Sequence, residues 1–183
     1  TGNATYKATY SQTVNEYTLI FDLTDKGTTP DETRFEDLPY GSTFPTAPVV
    51  TPKVGWTFDG WEPSLPVTVT GSRTYTAQYT EIEYTVTFLE GAHGTLAGTT
   101  VYSGLHYGDA FPSRPSVTPD AEWNFTGWDP SIPSTVTESK QYTAQYRQNE
   151  YTVTFNLGAN GTTDDQNVFT GLHYGDAFPT APA

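Results

Sequence analysis

One short segment of the chain alternates hydrophobic and polar side chains without a break. Tyr84, Val86 and Phe88 fall on one face of an extended backbone, and Thr85 and Thr87 fall on the other. Successive side chains of a β-strand point to opposite faces, so a period of two indicates a strand with one buried face. The pattern therefore predicts a half-buried strand that begins at Tyr84.

The same segment returns at a fixed spacing along the chain. Tyr17 and Tyr151 open related copies of it, and residues 17–83 and 84–150 are identical at 32 of 67 aligned positions. A tandem array of this kind repeats one folding unit. We expect a piece of a longer protein with the closing strand of a preceding repeat, two complete repeats and the first half of a further repeat, at residues 1–10, 17–79, 84–146 and 151–183.

Each repeat is expected to contain three more strands. The second is weaker and spans roughly residues 99–105, whereas the third and fourth are clearest in the first complete repeat, at 56–61 and 68–79. In the third strand, Trp61 has the opposite parity to Trp56. A β-bulge at Gly60 would return Trp61 to the core side, because glycine permits the backbone conformation of a bulge.

Turn residues predict how these strands are connected. Gly91 and Gly94 follow the opening strand and favour a hairpin. Asp109 then precedes a short apolar stretch that ends at Pro112, which suits a helix N-cap followed by no more than one or two helical turns. The pattern as a whole indicates a small, mainly β or α+β unit, with about four strands and one short helical turn.

Composition narrows the possible chemistry. The chain has no Cys, which excludes disulfides and Cys-based zinc sites. A net charge of −13 with only 8 Lys and Arg residues disfavours nucleic acid and anionic membrane surfaces as partners. We interpret the acidity as a soluble, self-repelling surface, with cation binding or a basic partner as the alternative. No apolar run approaches the roughly 18 residues of a membrane span, so no membrane insertion is expected.

The histidines are the first candidates for catalysis, and the repeat argues against them. His106 and His173 share one repeat position, which Pro39 occupies in the first copy, and His93 corresponds to Lys26. A catalytic histidine would require one copy to work differently from its near-twin. We therefore predict no catalytic residue, no cofactor or cofactor-binding residue and no metal ligand, and we expect that the chain is not an enzyme.

The recurring aromatic residues are expected to build the cores, because a unit of this size buries little surface. Trp56 and Trp123 open their strands and are the aromatic side chains best placed to remain partly exposed. An exposed indole can stack on a sugar ring. Trp56 and Trp123 are therefore the candidate ligand-contact residues.

The order of these motifs resembles the Listeria–Bacteroides repeat, the repeat type of the B-repeat region of internalin B. The resemblance rests on the Tyr-Thr-Val-Thr-Phe strand at Tyr84, the Tyr-Gly-x-x-Phe-Pro segment at Tyr107, Phe-Thr-Gly-Trp at Phe125 and Tyr-Thr-Ala-Gln-Tyr at Tyr142. It covers essentially the whole chain. It implies tandem β-grasp-like (ubiquitin-like) units in a bacterial cell-surface or secreted protein, where they link or present other domains.

Two functions remain open. The first is a non-catalytic structural module, an extracellular stalk or spacer that presents neighbouring domains of a longer parent chain. The alternative is an adhesin-like module that binds host protein or glycan directly, with weak contacts multiplied along the array. We expect the chain to be a monomer, and any head-to-tail pairing of residues 1–10 with residues 151–183 of a second molecule to be weak.

Overall fold

The computed structural model describes residues 2–9 and 14–182, and every regular element among them is a β-strand. The mainly β part of the predicted fold class is therefore confirmed. The chain divides into two compact units, Thr1–Ile82 and Glu83–Ala183. The first unit contains the first complete repeat, and the second unit contains the other complete repeat together with the half repeat.

The first unit is built on one four-stranded mixed sheet. Its strands, in chain order, are β1 (Glu16–Asp22), β2 (Gly27–Thr28), β3 (Arg34–Pro39), β4 (Thr51–Pro52), β5 (Trp56–Glu62) and β6 (Arg73–Glu81). The main sheet has the order β3-β1-β6-β5, and β2 pairs separately with β4. The first and last strands, β1 and β6, run parallel at the centre, while β3 and β5 are antiparallel edge strands.

The second complete repeat has the same arrangement. Its strands are β7 (Tyr84–Leu89), β8 (Gly94–Ala97), β9 (Val101–Leu105), β10 (Ser116–Pro119), β11 (Trp123–Asp129) and β12 (Lys140–Gln148). The main sheet reads β9-β7-β12-β11, again with a parallel central pair. The four strands predicted for each repeat are all present, at positions close to those expected from the sequence.

The predicted hairpin after the opening strand is only partly formed. β7 and β9 do pair in antiparallel fashion. However, the residues that follow the glycine-rich turn form β8, which leaves the main sheet and pairs with β10. The connection between β7 and β9 is therefore longer than a hairpin turn. It contains β8, whose backbone groups form hydrogen bonds with those of β10.

The predicted helical turn is wrong, because segment 109–112 contains no helix. The N–H of Val136 donates to the carbonyl oxygen of Asp109 at 2.9 Å, which ties this segment to the chain just before β12. The Asp109 carboxylate accepts the N–H of His106 at 2.7 Å. Asp109 thus closes the turn that precedes it instead of capping a helix that follows. Backbone pairing across the fold replaces the local helical bonds.

The predicted bulge in strand three is confirmed. The pairing register between β5 and β6 shifts between Phe58 and Gly60. Gly60 has a φ of 127°, a conformation that side chains rarely adopt, and Gly127 in the second repeat has a φ of 143°. The bulge turns Trp61 towards the core, where its ring centroid lies 4.8 Å from that of Phe21.

Each complete repeat has a small core made largely of aromatic rings. The buried cluster of each repeat contains two side chains from the first strand, a valine that precedes the last strand and a tyrosine on the last strand. These residues are Leu19, Phe21, Val69 and Tyr75 in the first repeat, and Val86, Phe88, Val136 and Tyr142 in the second. Around Phe88, the centroids of Trp128 and Tyr142 lie at 4.8 and 6.0 Å. Tyr142 on β12, the last strand of the repeat, thus packs against Phe88 on β7, the first strand.

The two ends of the chain differ from the complete repeats. Residues 151–182 contain only β13 (Tyr151–Thr154) and β14 (Val168–Leu172), paired as a two-stranded sheet. Residues 2–9 are exposed and belong to no strand. The prediction that residues 1–10 are the closing strand of a preceding repeat stays a prediction, and Thr1 and Tyr10 lie outside the described residues.

Truncating the central ring of one core should unfold that repeat and spare the other. Phe88 is 2% exposed, so Phe88→Ala should destabilise the second complete repeat by about 3–5 kcal/mol through the cavity it leaves. Leu89→Ala, at a neighbouring position that is 39% exposed, is the matched control and should cost far less. Residue-resolved hydrogen exchange measures both repeats at once. Equal losses in the two variants would contradict the assigned core.

Candidate functional site

The two candidate ligand-contact residues occupy equivalent positions. Trp56 begins β5 and Trp123 begins β11, and both side chains are half-buried. The N–H of Trp56 donates to the carbonyl oxygen of Lys53 at 3.0 Å, and that of Trp123 donates to Asp120 at 3.1 Å. A tight turn before the strand therefore sets the position of each indole.

A side chain from the glycine-rich loop covers one face of each indole. The Lys26 ammonium lies 3.7 Å from the centroid of the Trp56 ring, a cation–π contact. The His93 ring stacks on Trp123 with a centroid distance of 3.4 Å and an interplanar angle of 6°. A ligand that stacks on either indole must use the opposite face or displace this neighbour.

Lys26 and His93 are the site residues that sequence reasoning missed. The sequence shows them as equivalent positions, and it predicts only a structural or solvent role for His93. The useful signal is their place directly before Gly27 and Gly94, at the end of a loop that returns towards strand three. Their proximity to the indoles depends on β2–β4 and β8–β10 pairing, which the sequence pattern does not predict.

Tyrosines of the last strand hold this loop in place. The Tyr79 hydroxyl donates to the carbonyl oxygen of Leu23 at 3.0 Å, and the Tyr146 hydroxyl donates to that of Glu90 at 2.7 Å. Burial raises the pKa of both tyrosines, and the nearby Asp22 carboxylate adds to the rise in the pKa of Tyr79. Both hydroxyls therefore remain protonated donors at neutral pH.

Glycine is required where these tyrosines cross the loop. A Cβ at Gly94 would lie 2.5 Å from the Tyr146 hydroxyl oxygen and 2.8 Å from the carbonyl oxygen of Thr118. A Cβ at Gly27 would lie 2.9 Å from Cζ of Tyr79 and would overlap its hydroxyl oxygen. The space that a side chain would fill is thus already occupied by the tyrosine ring.

An open groove of about 520 Å³ lies elsewhere on the second complete repeat. Its lining combines apolar and aromatic side chains with one cation: Phe125, Trp128, Ile132, Val117 and Arg114. Trp123 is not among the residues that line it. The half-buried indole of Trp123 and the concave surface are therefore separate features of this repeat.

The remaining histidines lie beside carboxylates in surface turns. Nδ1 of His106 is 3.8 Å from Oδ2 of Asp109, and Nδ1 of His173 is 3.7 Å from Oδ2 of Asp176. Each carboxylate also accepts the backbone N–H of its histidine, so the pair belongs to one turn motif. Across residues 2–9 and 14–182, no group of three or more His, Asp or Glu side chains is arranged to hold a metal ion.

Comparison of the chain with protein-family models, with curated proteins and with solved structures finds no match. Within the described part of the chain, no helix has the length and apolar character needed to cross a membrane.

A single methyl group should disrupt the loop that carries Lys26. Gly27→Ala forces the Tyr79 ring to move, so we expect a loss of about 1–3 kcal/mol in the stability of the first repeat. Gly71→Ala is the matched control in the same repeat, because a Cβ there meets nothing within 4 Å. Urea denaturation measures both. Equal midpoints for the two variants would show that Tyr79 does not occupy the space above Gly27.

Proposed function

We propose that the chain is a non-catalytic tandem-repeat module of a bacterial cell-surface or secreted protein, where it acts as a stalk or spacer that presents other domains. The observation that carries this proposal is the repetition of one complete fold. The two complete repeats have the same strand order, the same parallel central pair and equivalent core residues. Repetition of a folded unit along a chain supplies length.

We also infer that each repeat is a β-grasp-like unit. The support is the order of its four main strands, in which the first and last strands run parallel at the centre and the second and third flank them. A β-grasp sheet shares this arrangement. The segment between the second and third strands, which carries a helix in a β-grasp unit, is here an extended connection with a short strand.

The side chains that pack on the rings of Trp56 and Trp123 favour a structural role over a repeated binding site. The core residues recur between the repeats, whereas the side chain on the indole is Lys26 in one and His93 in the other. A site that bound one ligand in each repeat would be expected to present the same chemistry twice. Both side chains can cover an indole face, and that shared property is structural.

A spacer should be extended in solution. Only residues 82–83 separate β6 from β7, and only residues 149–150 separate β12 from β13, and neither segment contains Gly or Pro. Small-angle scattering should therefore give a radius of gyration well above the roughly 16 Å expected for one compact globule of this length. A radius of gyration no larger than that of the compact globule would contradict the spacer proposal.

The groove on the second complete repeat supports the alternative function, direct adhesion to host protein or glycan. Phe125 and Trp128 offer ring surfaces, and Arg114 offers a cation to an acidic group on the ligand.

A glycan array and a host-protein pull-down with the chain test this alternative. If the chain adheres through the groove, Arg114→Ala should weaken binding. Arg147→Ala, a control outside the groove, should not. Adhesion through the indole predicts loss with Trp123→Ala instead. Absence of any ligand in both assays would leave the spacer as the supported function.

A further inference from the structure

The second complete repeat is joined to the strand that follows it by only two residues. β12 ends at Gln148 and β13 begins at Tyr151, and both strands lie in the compact unit Glu83–Ala183. The N–H of Asn149, the first of the two residues, donates to the carbonyl oxygen of Glu122 at 2.8 Å. The start of this linker is therefore bound to the turn that precedes β11.

Two side-chain hydrogen bonds reinforce this connection. The Tyr151 hydroxyl donates to the Glu122 carboxylate. The side-chain amide of Asn124 donates to the side-chain oxygen of Asn149. The bond to the carboxylate raises the pKa of Tyr151, because a deprotonated phenol would face a negative charge, so Tyr151 remains a donor at neutral pH. Hydrogen bonds to an ionised carboxylate are stronger than those between neutral groups.

The backbone at Glu122 has a conformation that favours glycine. Its φ is 71°, and the N–H of Trp123 donates to the carbonyl oxygen of Asp120 at 3.1 Å, which makes Glu122 the third residue of a four-residue turn. A positive φ at the third position of such a turn favours glycine. The first complete repeat has Gly55 there, with a φ of 88°. Glutamate therefore costs backbone free energy that glycine avoids, and such a cost points to a role for its side chain.

The three residues that bind at this junction all differ from their counterparts in the first complete repeat. The pairs are Glu122 and Gly55, Asn124 and Thr57, and Asn149 and Ile82. Gly55 and Ile82 carry no polar side chain, and the Thr57 hydroxyl donates to the carbonyl oxygen of Thr80 within its own repeat, at 3.1 Å. The side-chain bonds between β13 and the second complete repeat thus come from a set of residues that only this repeat has.

We propose that Glu122 and Tyr151 form a latch that fixes β13 and β14 in one orientation relative to the second complete repeat. Tyr151 opens β13 and lies opposite Leu172 of β14, so a bond to its side chain acts on both strands. The backbone bond of Asn149 is a single attachment, about which the following chain can rotate. The latch adds a second attachment at a different residue, and two attachments remove that rotation.

The latch deepens the proposed function and rests on it for its purpose, since a spacer with a fixed joint presents the next domain in a defined direction. The alternative to a latch is that Glu122 is a solvated residue that the turn tolerates. In that case replacing it with glycine would relieve the backbone and leave the motion of β13 unchanged.

Tyr151→Phe removes the donor and keeps the ring. In the full chain, the ratio of transverse to longitudinal NMR relaxation rates of the backbone amide nitrogens measures how slowly each strand tumbles. At β13 and β14 this ratio should fall by at least about a quarter, because the two strands gain nanosecond motion of their own. Tyr174→Phe is the matched control, since it removes the hydroxyl of a tyrosine in the same segment that is 74% exposed. It should leave the ratio unchanged.

Glu122→Gly removes the acceptor on the other side of the latch. It should produce the same fall in the ratio at β13 and β14, while the thermal midpoint of the second complete repeat stays unchanged or rises because glycine relieves the backbone. The double variant Tyr151→Phe/Glu122→Gly should lose no more than either single variant, because both remove one shared bond. Cross-strand nuclear Overhauser effects between Val153 and Phe169, which lie opposite each other, verify that β13 still pairs with β14.

Three outcomes would overturn the latch. They are an unchanged ratio in either single variant, an equal fall in Tyr174→Phe, and a clearly larger fall in the double variant than in the single ones. Small-angle scattering tests the spacer separately. A compact radius of gyration, together with the expected falls in both single variants, would refute the spacer and leave the latch in place.

Discussion

The parallel pairing of the first and last strands holds each complete repeat together. β1 lies beside β6 and β7 lies beside β12, so the two ends of the repeat meet at the centre of the sheet. This pairing brings the phenylalanine of the first strand against the tyrosine of the last, at centroid distances of 5.6 and 6.0 Å. A contact between such distant parts of the sequence closes the unit.

Aromatic rings supply the cohesion that this pairing requires. A repeat this short has little interior, and the chain has no Cys with which to form disulfides. Phe21 contacts four other rings, of Phe35, Phe44, Trp61 and Tyr75, at centroid distances of 4.8 to 6.3 Å. Edge-to-face and stacked pairs add specific geometry to the apolar area that they bury. Two of these rings reach the core only through local backbone features, the bulge at Gly60 and the extended segment that carries Phe44.

The same dependence explains the difference between the complete repeats and the half repeat. Where strands three and four are present, the opening phenylalanine is buried to 2% exposure in both copies. Where only the first two strands are present, the corresponding Phe155 is only half-buried, and Phe178 is 75% exposed although its counterparts Phe44 and Phe111 are half-buried. Burial of these rings is therefore a property of the closed unit and not of the local sequence.

The sequence by itself determined the repetition of one unit along the chain, the four main strands of each complete repeat and the bulge at Gly60. These features are local or periodic, and alternation of side chains, the fixed spacing of the repeats and the special conformations of glycine report them directly. The tertiary structure alone decided three others: the parallel pairing of β1 with β6, the extended course of segment 109–112 and the cover on the tryptophans by Lys26 and His93. Each depends on partners that are distant in the sequence, and no local pattern specifies which distant backbone group or ring will satisfy a given residue.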